Sequence, residues 1–237
     1  MKKSLLIFNL SLLHVYLFAQ INISNVLPKV ENAKMLKYNG FQVLFDTLNC
    51  TPVCSAYFIT KAEIAKPVTQ VANTVCKNDA SVLCLKVEDY KDSLYMPGLL
   101  TPAIDLRYSE KAEQDCYYIT NTCAQKLAFN AGIWERLERQ TRAWVNKYDS
   151  LIVISGPVIG TCVRTGKLNV PKQFYKIIYS VKYNRGIAFL LNVELPVGSI
   201  YRFDMSIQQL NEAIHLQYFS APKFAKRRAY LDREFWN

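Results

Sequence analysis

Trp134, Glu138 and Arg142 recur at intervals of four, so a helix would carry them along one winding stripe with Asn130 one step earlier. A carboxylate four residues ahead of a guanidinium makes an ion pair, and in solvent that is all such a pair need do. The sequence holds two histidines, His14 and His215. His215, in "NEAIHLQYF", reads as a surface residue near a helix C-terminus, where positive charge is favoured. The seven cysteines are Cys50, Cys54, Cys76, Cys84, Cys116, Cys123 and Cys162. In an exported chain they read first as disulfides, with an odd one left over and the pairing open. Zinc fits poorly, because the C-x₃-C spacing at Cys50 and Cys54 has no matching second pair.

The elements that must position these groups follow from hydrophobic period. "FNAGIWERLERQTRAWVNKYD" carries Ile133, Leu137, Trp144, Val145 and Tyr148 at helical spacing, with Asn130 near its start. "GFQVLFDTLNC" and "CSAYFIT" read as a strand pair, and "SVLCLKV" as another short strand. "SLIVISGPVIG" is a buried strand stopped by Gly156-Pro157. "QFYKIIYSVKY" and "GIAFLLNV" flank "NRG" as a hairpin, and "SIQQLNEAI" is a short helix capped by Ser206. "AEIAKPVTQVANTVCKNDA", broken by Pro67, is a connecting excursion. Strand pairs with few helices predict an α+β fold, a mainly antiparallel sheet flanked by helices.

The first twenty residues, "MKKSLLIFNLSLLHVYLFAQ", place Lys2 and Lys3 ahead of an apolar run that ends at small Ala19. This layout predicts a signal peptide over 1–19 and an exported protein, whether periplasmic, cell-surface or secreted. Residues 20–37 are then an N-terminal arm, 38–222 the folded domain, and 223–237 a basic aromatic C-terminal tail. No transmembrane segment is expected after cleavage. Hydrophobic residues make up 51% of the chain, enough for a real core, which excludes bulk disorder. The formal charge of +10 points to an anionic partner: nucleic acid, membrane surface or acidic glycan. Arg136, Arg139 and Arg142 crowd one helix. The tail interleaves lysines and arginines with Phe224, Tyr230, Phe235 and Trp236. Charge for phosphates and rings for bases suit DNA or RNA; the same composition suits docking on a protein partner or on the domain itself.

"DYKDSLYMPGLLTPAIDL", "YYITNTCAQ" and "FNAGIWERLE" occur in that order, followed by "YDSLIVISGPVI", "LNVPKQFYKIIY" and "MSIQQLNEAIHLQYF". In register, from about Tyr38 to Phe219, these pieces resemble the DNA/RNA non-specific endonuclease family. That resemblance implies the ββα-metal (His-Me finger) fold, with a long helix from about Asn130. The family's finger reads Asp-Arg-Gly-His, its next run Asn-Met-x-Pro-Gln, and its helix begins Phe-Asn-x-Gly-x-Trp. It further implies that Asn130 is the direct ligand of a hydrated Mg²⁺, supported by Glu138 and Arg142. Gly98, Asn121 and Gln125 keep the motif's frame, although Ala124 stands where the family has proline.

The same alignment puts Met96-Pro97-Gly98-Leu99 where the family has Asp-Arg-Gly-His. Leu99 takes the place of the general base, and leucine has no proton chemistry. General bases contribute ~10²–10⁴-fold, so the loss is severe. The resemblance therefore implies a pseudoenzyme: a nuclease-like protein with a residual nucleic-acid or partner-binding role. Two alternatives stand beside it. One is an active Mg²⁺-dependent endonuclease with a non-standard base, for which Tyr95 and Asp92 are candidates off the motif position. The other is a protein-binding scaffold with no nucleic-acid role.

Overall fold

The computed structural model describes residues 22–66, 75–91, 93–194 and 198–237. The leader expected over 1–19, and Asp92, lie outside the described residues. A seven-stranded sheet in the order β1-β2-β3-β6-β9-β10-β11 forms the frame. Its strands are β1 (Ala33–Lys37), β2 (Phe41–Asp46), β3 (Thr51–Thr60), β6 (Ser150–Pro157), β9 (Gln173–Ser180), β10 (Arg185–Asn192) and β11 (Asp204–Met205). Every pairing in it is antiparallel.

Strand alternation sorts the side chains onto two faces. In β6, Leu151 and Val153 enter one core and Ile152 and Ile154 the other. In β9, Phe174 and Ile178 face the first core, while Tyr175, Ile177 and Tyr179 face the second. Helix α3 (Glu135–Tyr148) lays Leu137, Trp144 and Val145 on the first face. Helix α4 (Ile207–Ile214) lays Ile207, Leu210 and Ile214 on the second. It starts on the Ser206 cap that its sequence predicts, which Gln209 completes as a capping box. The shorter helices α1 (Lys61–Ile64) and α2 (Glu110–Asp115) begin on Thr60 and Ser109 caps.

Two small ladders complete the fold: β4 (Met96–Leu99) with β5 (Thr122–Gln125), and β7 (Val163–Thr165) with β8 (Leu168–Val170). The first, the finger, stands on the same side of the sheet as α3.

Three expectations change. The segment 81–87 is not a strand but a loop, because Ser81 binds back to Asp79 and Cys84 is tied by a disulfide to Cys50, leaving Leu83 80% exposed. The expected arm ends as an edge strand, since β1 pairs with β2 from Ala33↔Asp46 to Lys37↔Gln42. Of the cysteines, Cys50 and Cys84 pair across 34 residues, and Cys54, Cys76, Cys116, Cys123 and Cys162 are free thiols.

The tail docks on its own domain. Helices α5 (Ala225–Ala229) and α6 (Arg233–Trp236) return the chain to the end of α3, where Trp236 is fully buried. Trp144 Nε1 donates to the Trp236 carbonyl at 2.8 Å, and Phe235 stacks on Tyr148 with centroids 4.2 Å apart. Arg233 clasps Asp204 and Arg185 clasps Asp232. Of the tail's rings, Phe224 and Trp236 are buried and Phe235 packs on the core; Tyr230 stays 58% exposed.

Candidate functional site

The finger, the 3₁₀ turn Ala103–Leu106 and the start of the long helix enclose a cleft of about 540 Å³. Met96, Pro97, Gly98, Leu99, Asn130 and Glu138 all line it. The helix does not begin cleanly. A short turn, Leu127–Phe129, runs into a π-helical turn, Asn130–Trp134, where Gly132 leaves helical geometry (φ −101°, ψ −108°). Such single π turns inside helices are frequent at functional sites. The turn carries Asn130 to the cleft while Ile133 and Trp134 bury beneath it.

Antiparallel pairing puts Gly98 opposite Cys123 and Leu99 opposite Thr122. Gln125 is buried and accepts a hydrogen bond through Oε1 from Asn130 Nδ2 at 2.7 Å. That bond fixes the Asn130 amide with its nitrogen toward Gln125, which turns its oxygen the other way. A Cβ at position 98 would lie 2.1 Å from Gln125 Oε1, so only glycine leaves room for this arrangement. Asn121, fully buried, locks the turn after β4. Its Oδ1 accepts from Thr101 N, and its Nδ2 donates to the Thr101 and Cys116 carbonyls.

Glu138 and Arg142 do not pair with each other. Arg142 Nη1 donates to Asp105 Oδ1 at 3.0 Å, and Tyr57 OH donates to Asp105 Oδ2 at 2.5 Å. Glu138 faces Lys176 Nζ at 4.0 Å, and that ammonium donates to Ser155 Oγ at 2.8 Å and sits 4.4 Å over the Trp134 ring. Burial raises the Glu138 carboxyl to about 7, against the pull of Lys176. Burial likewise lowers the Lys176 ammonium from its ordinary range. The result is a buried network of two cations and two carboxylates beneath the cleft.

Asp105, Lys176, Tyr57 and Ser155 were not singled out by sequence. The one available signal was Lys176, a lysine at an inward register position of an otherwise apolar strand, between Phe174 and Ile178.

The basic residues divide. Arg136 and Arg139 are exposed and line a shallow groove with Gln140, Ser199 and Tyr201, with Arg139 bonded to Glu135. Arg142 turns inward to Asp105. His215 caps the C-terminus of α4 in left-handed conformation (φ 55°) on the far face of the sheet, so it does not reach the cleft. Tyr95 lines a separate hollow with Lys126, Val163 and Glu194.

The donors present fit a hydrated divalent cation: one oriented amide oxygen, with a carboxylate on the same cleft. Among the described residues no group of three or more His, Cys, Asp or Glu could hold a metal. Binding would thus lean on water and phosphate oxygens for the remaining positions.

The sequence profile described as DNA/RNA non-specific endonuclease matches residues 19–225. Nuclease EXOG, mitochondrial, of Danio rerio is 27% identical over 154 residues, 56% of this chain and 45% of that protein. Endonuclease G, mitochondrial, of Bos taurus is 33% identical over 156 residues, 60% of this chain and 48% of that protein. Nuclease 1, mitochondrial, of Schizosaccharomyces pombe is 28% identical over 162 residues, 67% of this chain and 47% of that protein. The chain spans about half the length of these curated relatives. A chain of the crystal structure of the EndoG/EndoGI complex superposes with TM-score 0.72 at 20% identity, covering 83% of this chain and 89% of that one. This likeness shows the ββα-metal nuclease fold.

These relatives overturn the expectation of export, since all three are named as mitochondrial. Lys2 and Lys3 ahead of an apolar run describe charge and hydropathy, and organelle-directed leaders are also basic and poor in acid. No helix among the described residues is long and apolar enough to cross a membrane.

Proposed function

Because the chain belongs to the DNA/RNA non-specific endonuclease family, we propose that it is a mitochondrial nucleic-acid-binding protein on the nuclease frame whose hydrolytic step has lapsed. One observation carries the reading: the finger presents Met96, Pro97, Gly98 and Leu99 to the cleft. None of the four can accept a proton from water. The remaining histidine of the described chain is across the sheet, and Tyr95 faces another hollow.

What remains supports binding. Asn130, held by Gln125, is the residue that would hold Mg²⁺ directly, with Glu138 in support on the same cleft. When bound, the ion would supply Lewis-acid stabilisation of charge on a phosphate. Arg136 and Arg139 on the outer face of α3, in a chain of formal charge +10, supply cations for the backbone of DNA or RNA. The test is nicking of supercoiled plasmid with Mg²⁺ or Mn²⁺ by the wild type, Asn130→Ala and Leu99→His. The expected result is no cleavage by folded wild type and DNA retention that weakens with salt. Cleavage by wild type but not by Asn130→Ala would overturn it.

A second reading rests on Glu138, whose carboxyl lines the cleft and is raised by burial to about 7. A carboxylate of that affinity has a base's strength near neutral pH. Slow hydrolysis rising through about pH 7, abolished by Glu138→Gln, would favour this reading over the first.

A further inference from the structure

Nine large apolar side chains stand exposed among the described residues, and five of them gather about one element, the finger. Val75 (70% exposed) and Ile104 (47%) line the cleft on one side of it. Val163 (47%) lines the hollow of about 170 Å³ that also holds Tyr95 and Ala124. Leu94 (92%) and Leu127 (67%) lie two residues beyond the Met96↔Gln125 pair, one on each chain leading into the finger. Exposed apolar residues scattered singly need no explanation, but five around one two-stranded element form a patch, and patches mark interaction surfaces.

The polar groups about this patch choose the occupant. Arg107 lies in the cleft, and Lys126 and Lys172 in the smaller hollow, against the carboxylates of Glu138 and Glu194. Glu138 is only 13% exposed and turned toward Lys176, and Glu194 pairs with Lys126 at 2.7 Å, which leaves Lys172 as the exposed cation of the smaller hollow with no ion pair among the described residues. A polynucleotide wants a row of cations along its path. The cleft offers one, Arg107, whose Nε is already committed to buried Glu113 at 3.0 Å, and the arginines proposed for DNA or RNA, Arg136 and Arg139, line a separate groove on α3. Apolar anchors with a few cations at the rim are instead what an interface with another protein uses.

We propose that the finger and the hollows on its two sides form a docking site for a segment of a partner protein that presents apolar side chains flanked by aspartate or glutamate. Met96, Pro97 and Leu99, which stand where the family motif is charged, supply the floor for an apolar anchor. Lys172, exposed at the rim of the smaller hollow, meets the flanking carboxylate, while Lys126 and Arg107 already pair with Glu194 and Glu113. The inference rests on the reading that the cleft no longer hydrolyses phosphodiesters.

The test is selection of a random linear peptide library on the immobilised folded protein, followed by binding of the enriched peptides to wild type, Leu94→Glu/Leu127→Glu and Lys172→Glu. The leucines and Lys172 are exposed, so both variants should keep the wild-type melting temperature, checked by circular dichroism. Enriched peptides are expected to carry leucine-, isoleucine- or phenylalanine-type anchors beside acidic residues, and to lose roughly tenfold or more in affinity for each variant. Four results would overturn the proposal: no enrichment, enrichment without acidic flanks, undiminished binding to the variants, or displacement of the peptides by single-stranded DNA. The last would assign the surface to nucleic acid. Plasmid nicking by the wild type is a separate outcome that sinks the lapsed-hydrolysis reading whatever the peptides do.

Discussion

The cleft has two walls of opposite character. On the helix wall, Asn130 bonds Gln125, Arg142 bonds Asp105, and Glu138 faces Lys176, so every motif residue there is held by buried neighbours. On the finger wall, Met96, Pro97 and Leu99 are only partly buried, and no side-chain bond holds them. The difference teaches caution about residues that look catalytic. Removing one partner of a buried ionic pair costs about 3–5 kcal/mol, because the other charge is left uncompensated. Glu138 and Arg142 would therefore stay in place for the sake of folding, whether or not chemistry needs them. Gly98 survives for a related reason, since its missing side chain is the room Gln125 occupies. A base standing at the rim of the cleft has no such protection.

The comparison breaks most readily at Asp105. Asp105→Ala leaves the Arg142 guanidinium and the Tyr57 hydroxyl without their shared acceptor in a buried site. Urea unfolding should show a loss of about 3–5 kcal/mol. A loss below ~1 kcal/mol would mean that the helix wall is no more constrained than the finger, and its retained residues would then have to be explained by function.

A second measurement sharpens the same point through pH. The folded-state affinity of Glu138 for a proton is raised to about 7, so between the ordinary carboxylate range and that value the folded protein binds more protons than the unfolded chain. Its contribution to stability is present at low pH and is lost as pH rises through about 7. Lys176, lowered by burial, acts in the opposite sense at higher pH. Wild type should lose on the order of 1–3 kcal/mol between pH 5 and pH 7.5 relative to Glu138→Gln, read from urea midpoints at each pH. Parallel pH profiles would show that Glu138 is not buried as a neutral acid.

Much of this arrangement was legible in sequence, and the reasons are local. The β9–β10 hairpin, β6 and α4 announce themselves by alternation, by Gly156-Pro157 and by the Ser206 cap, all of which act within a few residues. The run 81–87 misled because apolar alternation says nothing of a covalent tie between Cys50 and Cys84. The network beneath the cleft was illegible for the same reason. Asp105 and Arg142 lie 37 residues apart, and Lys176 meets Glu138 only because β9 passes under α3. The tail illustrates the converse. Its composition suited nucleic acid, a partner or the domain equally, and tertiary packing decided, with Trp236 filling the space beside Trp144.

Gly98→Ala tests whether glycine is held in the finger by packing. The new methyl would displace buried Gln125 from a contact 2.1 Å away and with it the bond to Asn130. The expected cost is about 1–3 kcal/mol in thermal or urea unfolding. Shortening Gln125 to Ala in the same chain removes the obstacle, so the double variant should lose less than the sum of the two single losses. Strict additivity would show that Gly98 and Gln125 do not compete for one space.

The smallest effect is expected at Leu99 itself, and it is the most informative for the finger wall. The side chain is partly buried, packs against the edge of the core and lines the cleft, so its replacement opens little new cavity. Leu99→Ala should cost less than ~1 kcal/mol, well under the ~2–5 kcal/mol of a leucine enclosed in a core. Leu99→His should be tolerated to the same degree, because an imidazole at that rim keeps access to water. A core-sized loss for Leu99→Ala would reverse the comparison. Leucine would then be a packing residue in its own right, and restoring histidine would unfold the finger rather than report on its chemistry. With a loss under ~1 kcal/mol, hydrolysis found in Leu99→His and not in the wild type would be assigned to the proton acceptor restored at position 99, on a finger that keeps its fold.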